Sequence, residues 1–177
     1  QLDKEFLFNV CIYDTPHQLL LPSVKNLVPA TPENKAKFIK AVEALTPRAL
    51  TNIHGGLMDS FSITDAQFFD WHKMDPAWDP ECMAKGAETI FFLTDGSPTV
   101  SDDCSDLGEV GRPDKNGRVK PVGNGKMCVP ENIVAEIKRV NTFRKCVIHT
   151  VGIGPHDTRL MGELARISGG TYTDRTG

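Results

Sequence analysis

The sequence predicts one domain of the α/β class, built on a mostly parallel, doubly wound sheet with helices on both faces. Three nearly continuous apolar runs, at 6–13, 89–94 and 146–153, have the length of strands. Apolar runs without polar alternation are typical of strands that are covered on both faces. Segments with helical periodicity lie between the runs, so strands and helices alternate along the chain.

Three helices are predicted from the residues at their ends. Thr31 can cap a helix whose first residue is Pro32, and Pro130 can open a second helix. Asp157 can cap a third helix, which Gly169 ends. The apolar residues expected on the faces of these helices are Phe38, Val42, Leu45, Ile133, Val134, Ile137, Val140, Leu160, Leu164 and Ile167.

Length and charge limit the classes of function. A chain of 177 residues with 40% apolar side chains can bury the core of one domain, and two domains would be cramped. Its formal net charge of −3 provides no basic field for nucleic acid or anionic lipid, so neither is an expected partner. No run approaches the roughly 20 apolar residues that span a bilayer.

Two segments interrupt the alternation of strands and helices. The segment 62–88 mixes aromatic and acidic residues, and we interpret it as an insertion whose aromatics pack on the body of the domain; a partner-binding surface is the alternative. The segment 101–127 is rich in Gly, Asp, Lys and Pro and predicts a long surface loop.

Cys104 and Cys128 lie near the two ends of this predicted loop. A disulfide between them would stabilise the loop by about 3 kcal/mol through the entropy of the unfolded chain. Two free thiols are the alternative. The odd total of five cysteines leaves both the pairing and the cellular compartment open.

Polar residues that follow the apolar runs predict a metal site. In open parallel sheets ligands bind beyond the carboxyl ends of the strands. Asp95 follows the run 89–94 and Gly96 permits a sharp turn behind it, while the polar loop 51–57 supplies the hydroxyl of Thr51. Hydroxyl and carboxylate oxygens are hard donors of the kind that Mg²⁺ or Mn²⁺ selects.

Four motifs, in order, resemble the von Willebrand factor A family. The loop TNIHGGL at 51–57 resembles the family's loop with a metal-coordinating threonine, and FLTDG at 92–96 resembles its later strand and aspartate. VIHTVGIG at 147–154, a helix and then ISGGTY resemble the last core strand, last helix and closing strand. The opening residues 2–10 resemble the entry to the second strand. The resemblance covers nearly the whole chain.

The resemblance implies a protein-interaction or adhesion module with a metal-ion-dependent adhesion site, and no enzymatic activity. Thr51 would coordinate Mg²⁺, or Mn²⁺ or Ca²⁺, directly in one state while Asp95 holds it through water. An acidic residue of a protein partner would take the open position. The residues expected around these two ligands are Asn52, His54, Gly96 and Ser97.

The chain departs from the family at its start. The family's first strand ends in Asp-x-Ser-x-Ser, whose serines bind the metal, and no such strand precedes Gln1. The resemblance therefore predicts an N-terminally incomplete domain whose missing segment, roughly 30 residues, would fill the centre of the sheet. Because Thr51 and Asp95 are only two donors, the metal is expected in the complete domain.

Two other classes of function compete with this interpretation. A structural interaction domain could keep the fold without the metal. A hydrolase could use His54, Asp95 and Ser97, but no GxSxG elbow, GxGxxG loop or Walker lysine occurs. Ser97 lies two residues from Asp95 in a predicted turn, where polar residues are ordinary.

The remaining titratable groups receive structural interpretations. His149 lies in a predicted buried strand and His156 in a loop, so neither needs a functional role. Asp102, Asp103 and Asp106 lack the spacing and glycine of an EF-hand loop. We expect these three carboxylates to form a solvated face.

Overall fold

A computed structural model describes residues 3–46, 50–104 and 125–175 of the chain. In chain order its elements are β1 (Leu7–Phe8), β2 (Cys11–Tyr13), β3 (His17–Leu19), β4 (Val28–Pro29), α1 (Pro32–Glu43), α2 (Ile53–Phe61), α3 (Pro80–Lys85), β5 (Thr89–Thr94), α4 (Pro130–Arg144), β6 (Val147–Ile153), α5 (Thr158–Ser168) and β7 (Tyr172–Arg175). A short 3-10 helix, Lys126–Cys128, precedes α4. Strands and helices alternate from β5 onward, whereas the first part of the chain holds four short strands.

The strands β5, β6 and β7 form a three-stranded parallel sheet in that order. Ile90 of β5 lies opposite Ile148 of β6, and Thr150 of β6 lies opposite Tyr172 of β7. Helix α4 leads from β5 to β6, and α5 leads from β6 to β7. The predicted α/β class is therefore confirmed, with a parallel sheet flanked by helices and strands at two of the three predicted runs.

Helices α2, α4 and α5 share one hydrophobic core with the sheet. The hydroxyl of Thr150 donates a 2.9 Å hydrogen bond to the carbonyl of Met161, which ties β6 to α5. Burial of each large apolar side chain contributes about 1.5–3 kcal/mol. The largest fully buried members of this core are Ile53, Leu57, Phe61, Ile133, Ile137, Val140, Ile148, Leu160, Met161 and Leu164.

The opposite face of the sheet carries exposed apolar side chains. Phe91 is 67% exposed and Leu93 51% exposed on β5, and Ile153 is 45% exposed at the end of β6. The coverage of both faces that the sequence predicts is thus not seen among the described residues. An apolar run shows that a strand can be buried, but not which of its faces a helix covers.

The prediction of one strand over 6–13 is wrong. This segment forms β1, which pairs antiparallel with β4, and β2, which pairs antiparallel with β3. The break falls at Asn9, whose side-chain amide donates to the carbonyls of Val24 at 3.0 Å and Asn26 at 2.8 Å. Because Asn9 Oδ1 also accepts from the amide of Val10, this side chain redirects the strand within the apolar run.

One edge of β5 pairs with β6, and its other edge faces β2. Among the described residues β5 pairs with β6 alone. Tyr13, the last residue of β2, donates its hydroxyl to the carbonyl of Leu93 at 2.5 Å. Its ring stacks on Phe92 with the centroids 5.3 Å apart. Burial raises the pKa of Tyr13. The amino-terminal part of the chain therefore contacts this edge through a side chain and not through main-chain pairing.

The helix ends follow the sequence prediction. Thr31 Oγ1 accepts from the amide of Asn34, and Pro32 is the first residue of α1. Asp157 Oδ1 accepts from the amide of Leu160 at the start of α5. Gly169 ends α5 with a positive φ of 75°, a conformation that glycine adopts without strain. These caps are local, so the sequence alone could predict them.

The buried face predicted for α1 is only partly correct. Phe38 is buried, with its ring centroid 4.8 Å from that of Phe8. Val42 is 47% exposed and Leu45 44% exposed, although both share its predicted face. Of the stripes expected on α4 and α5, five residues are buried, whereas Val134 and Ile167 are half-buried against the core. Helix α5 contacts β6, and α4 contacts α5 and α2.

The predicted insertion and loop differ in how much of them the structure describes. Within 62–88, Trp71 packs against the core, whereas Trp78 is 63% exposed beside Phe143. Of the loop 101–127, the segment 105–124 lies outside the described residues, and Asp106 lies in that segment. The structure describes the two ends of this loop, at 101–104 and 125–127.

Candidate functional site

The loop that precedes α2 and the loop that follows β5 are joined by hydrogen bonds. The amide of Thr51 donates to Thr99 Oγ1 at 2.8 Å. The amide of Thr99 donates in return to the carbonyl of Thr51 at 3.0 Å. Because these bonds use the main chain of Thr51, its own hydroxyl is not needed to hold the loop.

Thr51 and Asp95, which we call the rim pair, lie at the carboxyl end of β5. A Cβ placed on Gly96 would stand 3.1 Å from Thr51 Oγ1, so the threonine hydroxyl lies against the residue that follows Asp95. Thr94 Oγ1 accepts from the amide of Gly96 at 3.3 Å and forms the turn. Asp95 is exposed and Thr51 is half-buried. The structure therefore places both predicted ligands at one end of the sheet.

Asn52 and His54, expected around the metal ligands, are both buried. Asn52 Oδ1 accepts from the amide of Gly55 at 2.9 Å and caps α2, and its Nδ2 donates to Asp102 Oδ1 at 2.7 Å. His54 presses against the edge of the Trp71 ring, and burial lowers its pKa. Among the described residues, His54 Nε2 has no hydrogen-bond partner.

Ser97 is exposed while His54 is buried. A catalytic triad needs a hydrogen bond between its serine and its histidine. The structure shows no such bond between these residues in the part of the chain that it describes. The expectation that the chain is not an enzyme stays a prediction.

Three further side chains, His17, His72 and Asp102, converge beside Asn52, and we call them the histidine cluster. Asp102 Oδ2 lies 2.8 Å from His17 Nε2 and 3.0 Å from His72 Nε2. The three ligand atoms all lie within 4.8 Å of one another. The cluster joins the first residue of β3, the turn at 70–73 and the loop after β5. Two imidazoles and a carboxylate are the donors of many metal sites.

A buried carboxylate supports the histidine cluster from behind. Asp59, on α2, has a side chain that is 3% exposed, and its Oδ2 lies 2.8 Å from His17 Nδ1. Its Oδ1 accepts from Trp71 Nε1 at 3.0 Å. The ring of Trp71 stacks on His72 with the centroids 3.9 Å apart. Asp59 and Trp71 therefore fix the orientation of both imidazoles.

The electrostatics of the histidine cluster favour charged side chains in the absence of a cation. Burial acts to lower the pKa of His17, but hydrogen bonds and charge from Asp102 and Asp59 outweigh it and raise this pKa to about 9. Burial acts to raise the pKa of Asp102, and the hydrogen bond and charge of His17 outweigh it, so this pKa falls below its usual range. The raised pKa of His17 and the lowered pKa of Asp102 both favour the charged pair.

A cleft of ≈ 290 Å³ adjoins the histidine cluster. His17, His72 and Asp59 are among the polar residues that line it. The side chain of His72 is 51% exposed and that of Asp102 26% exposed, so solvent reaches the cluster. The other residues of the lining include Leu19, Pro22, Lys25, Phe68, Phe69 and Trp71.

The sequence analysis did not group His17, His72 and Asp102, because no motif joins them and 85 residues separate His17 from Asp102. Asp102 and Asp103 are both exposed, as predicted for a solvated face, but their carboxylates also have protein partners. Asp102 contacts His17, His72 and Asn52. The carboxylate of Asp103 accepts from the hydroxyl of Ser101 and the amide of Lys126. A search for histidines just after the predicted strands would have found His17 and His156, but not His72.

Cys104 and Cys128 lie close together without a covalent bond. Their Sγ atoms are 3.4 Å apart, and both cysteines are free thiols. Burial acts to raise the pKa of Cys104, but hydrogen bonds with Ser101 outweigh it and lower this pKa. Burial raises the pKa of Cys128 to about 11. The approach of the two residues is observed, and the disulfide stays a prediction.

Comparison with known proteins does not assign the chain to a family. No protein-family model and no curated protein matches this chain. Within the described ranges, none of the helices has the length and apolar character needed to cross a membrane. The rim pair and the histidine cluster are therefore the features of this chain that point to a function.

Proposed function

We propose that this chain is a von Willebrand factor A-like protein-binding module whose rim pair binds an acidic residue of a partner with the help of a divalent cation. The observation that carries the proposal is that Thr51 Oγ1 lies against Gly96, the residue that follows Asp95 in the chain. Ligand sites of open parallel sheets lie at this end of the strands.

The proposal includes the finer fold, a doubly wound, Rossmann-like sheet. Its support is the apolar second face of the sheet, where Phe91 and Leu93 are more than half exposed. A second layer of helices would cover such a face. The second edge of β5, beside Tyr13, is where the resemblance expects a further strand.

The donors of the rim pair fit a cation of the magnesium class. Thr51 offers a hydroxyl and Asp95 a carboxylate, and Mg²⁺ retains several water molecules when a protein supplies few ligands. Apart from the chain neighbours Asp95 and Ser97, Thr51 is the only residue among those described that comes within 4 Å of a Cβ placed on Gly96, so the space beside the turn is open. When bound, such a cation supplies a positive centre that accepts a carboxylate.

The surrounding residues position the rim pair. Thr99 holds the main chain of Thr51, and Thr94 forms the turn that presents Asp95. Asn52 caps α2 and fixes the direction in which the Thr51 loop enters the helix. The role of these contacts is to keep the two ligands on the rim before a partner arrives.

The test is selection of a random peptide display library on the immobilised full chain in Mg²⁺, with elution by EDTA. We expect the eluted peptides to share an Asp or Glu, and a synthetic peptide with that residue changed to Asn or Gln to lose binding. Thr51→Ala and Asp95→Ala should each weaken the peptide at least about tenfold, equal to 1.4 kcal/mol of binding free energy.

Matched controls are Thr142→Ala, on the exposed surface of α4, and Asp65→Asn, in an exposed turn. Both should bind the selected peptide as the original chain does. Peptides that bind equally well in EDTA, or that are unaffected by Thr51→Ala and Asp95→Ala, would replace the adhesion-site mechanism with a metal-free interaction domain. Failure to recover any acidic peptide would also count against the proposal.

A further inference from the structure

The histidine cluster has a donor set that the rim pair lacks. Its two imidazole nitrogens and one carboxylate oxygen come from β3, the turn at 70–73 and the loop after β5. These side chains are brought together by tertiary structure alone, since His17 and Asp102 are 85 residues apart. Imidazole nitrogen suits zinc and its neighbours among the transition metals, whereas Mg²⁺ prefers oxygen.

The distances within the histidine cluster are close to those of a metal site. Ligand atoms that lie 2.0–2.1 Å from a tetrahedral zinc ion are about 3.3 Å from one another. In the structure, Asp102 Oδ2 is 2.8 Å from His17 Nε2 and 3.0 Å from His72 Nε2. All three atoms lie within 4.8 Å of one another. A cation therefore requires side-chain shifts of about 1 Å or less.

The contact between Asp59 and His17 is the arrangement that metal-binding histidines commonly show. A histidine that ligates through one ring nitrogen usually donates its other ring N–H to a carboxylate, which fixes the tautomer and the ring orientation. Asp59 lies 2.8 Å from His17 Nδ1 and is itself held by Trp71 Nε1 at 3.0 Å. His17 Nε2 is thereby directed towards Asp102 and His72.

We propose that His17 Nε2, His72 Nε2 and Asp102 Oδ2 bind a divalent cation of the zinc class. Three protein ligands leave a fourth position of a tetrahedral ion to water or to a group that enters the adjacent cleft. The half-exposed His72 gives the cation a route from solvent. Through Asn52, which donates to Asp102 at 2.7 Å, the bound cation also restrains the loop that carries Thr51.

The test is an optical titration of the full chain with Co²⁺, a spectroscopic substitute for zinc, in buffer that contains excess Mg²⁺. We expect visible absorption bands that saturate at one Co²⁺ per chain and disappear when Zn²⁺ is added. His72→Ala should abolish the bands, because it removes a ligand from an exposed position without disturbing the core. His149→Ala is the matched control: it removes a half-buried histidine of β6 that stacks on Phe91.

A second variant tests the supporting carboxylate as a positioning residue. Asp59→Asn should lower the affinity for Co²⁺ about 10- to 100-fold while the absorption bands keep their wavelength, because the ligands are retained. Circular dichroism of this variant checks that the chain is folded. Absence of saturable Co²⁺ bands in the original chain, or bands that survive His72→Ala, would overturn the proposal and leave the cluster as a network of hydrogen-bonded charges.

Discussion

The rim pair and the histidine cluster lie beside each other, yet the fold holds them in different ways. Thr51 and Asp95 are positioned by the main chain of their loops, and the carboxylate of Asp95 is exposed. His17 and His72 are fixed by side-chain contacts with Asp59 and Trp71, in a partly buried site.

The two groups of donors are thus held by different parts of the protein, one by the main chain and the other by side chains. Main-chain anchoring keeps the rim pair in place while its side chains stay available to a ligand. Side-chain anchoring organises the histidine cluster before a cation binds, but it makes the cluster part of the folded structure. Variants of the rim pair should therefore change binding, and variants that support the histidine cluster should change stability as well.

The largest expected effect is the loss of stability in Asp59→Ala. This change leaves the ring nitrogens of His17 and Trp71 without their partner in a buried place, and breaking such a charged contact costs about 3 kcal/mol. The exposed Asp95→Ala should stay within about 0.5 kcal/mol of the original chain. Urea unfolding curves measure both values. Equal losses in the two variants would remove the distinction between the two groups.

A smaller effect is expected on the affinity of the Gly96→Ala variant for the selected peptide. The added Cβ would stand 3.1 Å from Thr51 Oγ1, which forces the hydroxyl to move by a few tenths of an ångström. We expect the Mg²⁺-dependent peptide to bind roughly threefold to tenfold more weakly, or about 0.7–1.4 kcal/mol. Isothermal titration calorimetry measures this change. Unaltered affinity would show that Thr51 does not need its present position.

Thr99→Ala tests the main-chain anchoring of the rim pair. It removes the oxygen that accepts from the amide of Thr51 at 2.8 Å, and loss of one such bond costs about 1 kcal/mol. Hydrogen exchange of the Thr51 amide should become faster. Thr99→Ser keeps the hydroxyl and should restore the protection. If both variants exchange alike, the hydrogen bond does not hold the loop.

The smallest expected effect concerns His54, which lies at the start of α2 behind both groups. Burial lowers its pKa, so at pH values between this lowered pKa and about 6.5 the unfolded chain binds more protons than the folded chain. Stability should therefore fall as the pH drops below about 6.5. His54→Phe keeps a ring against Trp71 and cannot be protonated, so its urea midpoint should fall less between pH 7 and pH 5. Identical slopes would contradict a neutral, buried His54.

The sequence predicted the features that depend on neighbouring residues. The caps at Thr31 and Asp157 and the glycine that ends α5 are local, and all are present. The strands at 89–94 and 146–153 were also predictable, because their apolar runs are bounded by polar residues. The break at Asn9 was not, because its side chain bonds to Val24 and Asn26 at a distance in the chain.

One of the two candidate sites could be predicted from the sequence and the other could not. The approach of Thr51 and Asp95 could be predicted because each residue lies in a recognisable motif, and ligand sites of open parallel sheets lie beyond the carboxyl ends of the strands. The histidine cluster could not, because His72 lies in the insertion and reaches His17 only when that segment folds back onto α2. No periodicity or motif in the sequence specifies that contact.

We propose that neighbouring groups of donors on one domain bind different cations. Crystals of the full chain soaked in both Mn²⁺ and Zn²⁺ test this proposal by anomalous diffraction at the absorption edge of each metal. We expect a zinc peak among His17, His72 and Asp102, and a separate manganese peak beside Thr51 and Asp95. Both metals at one group, or no peak at either group, would contradict it.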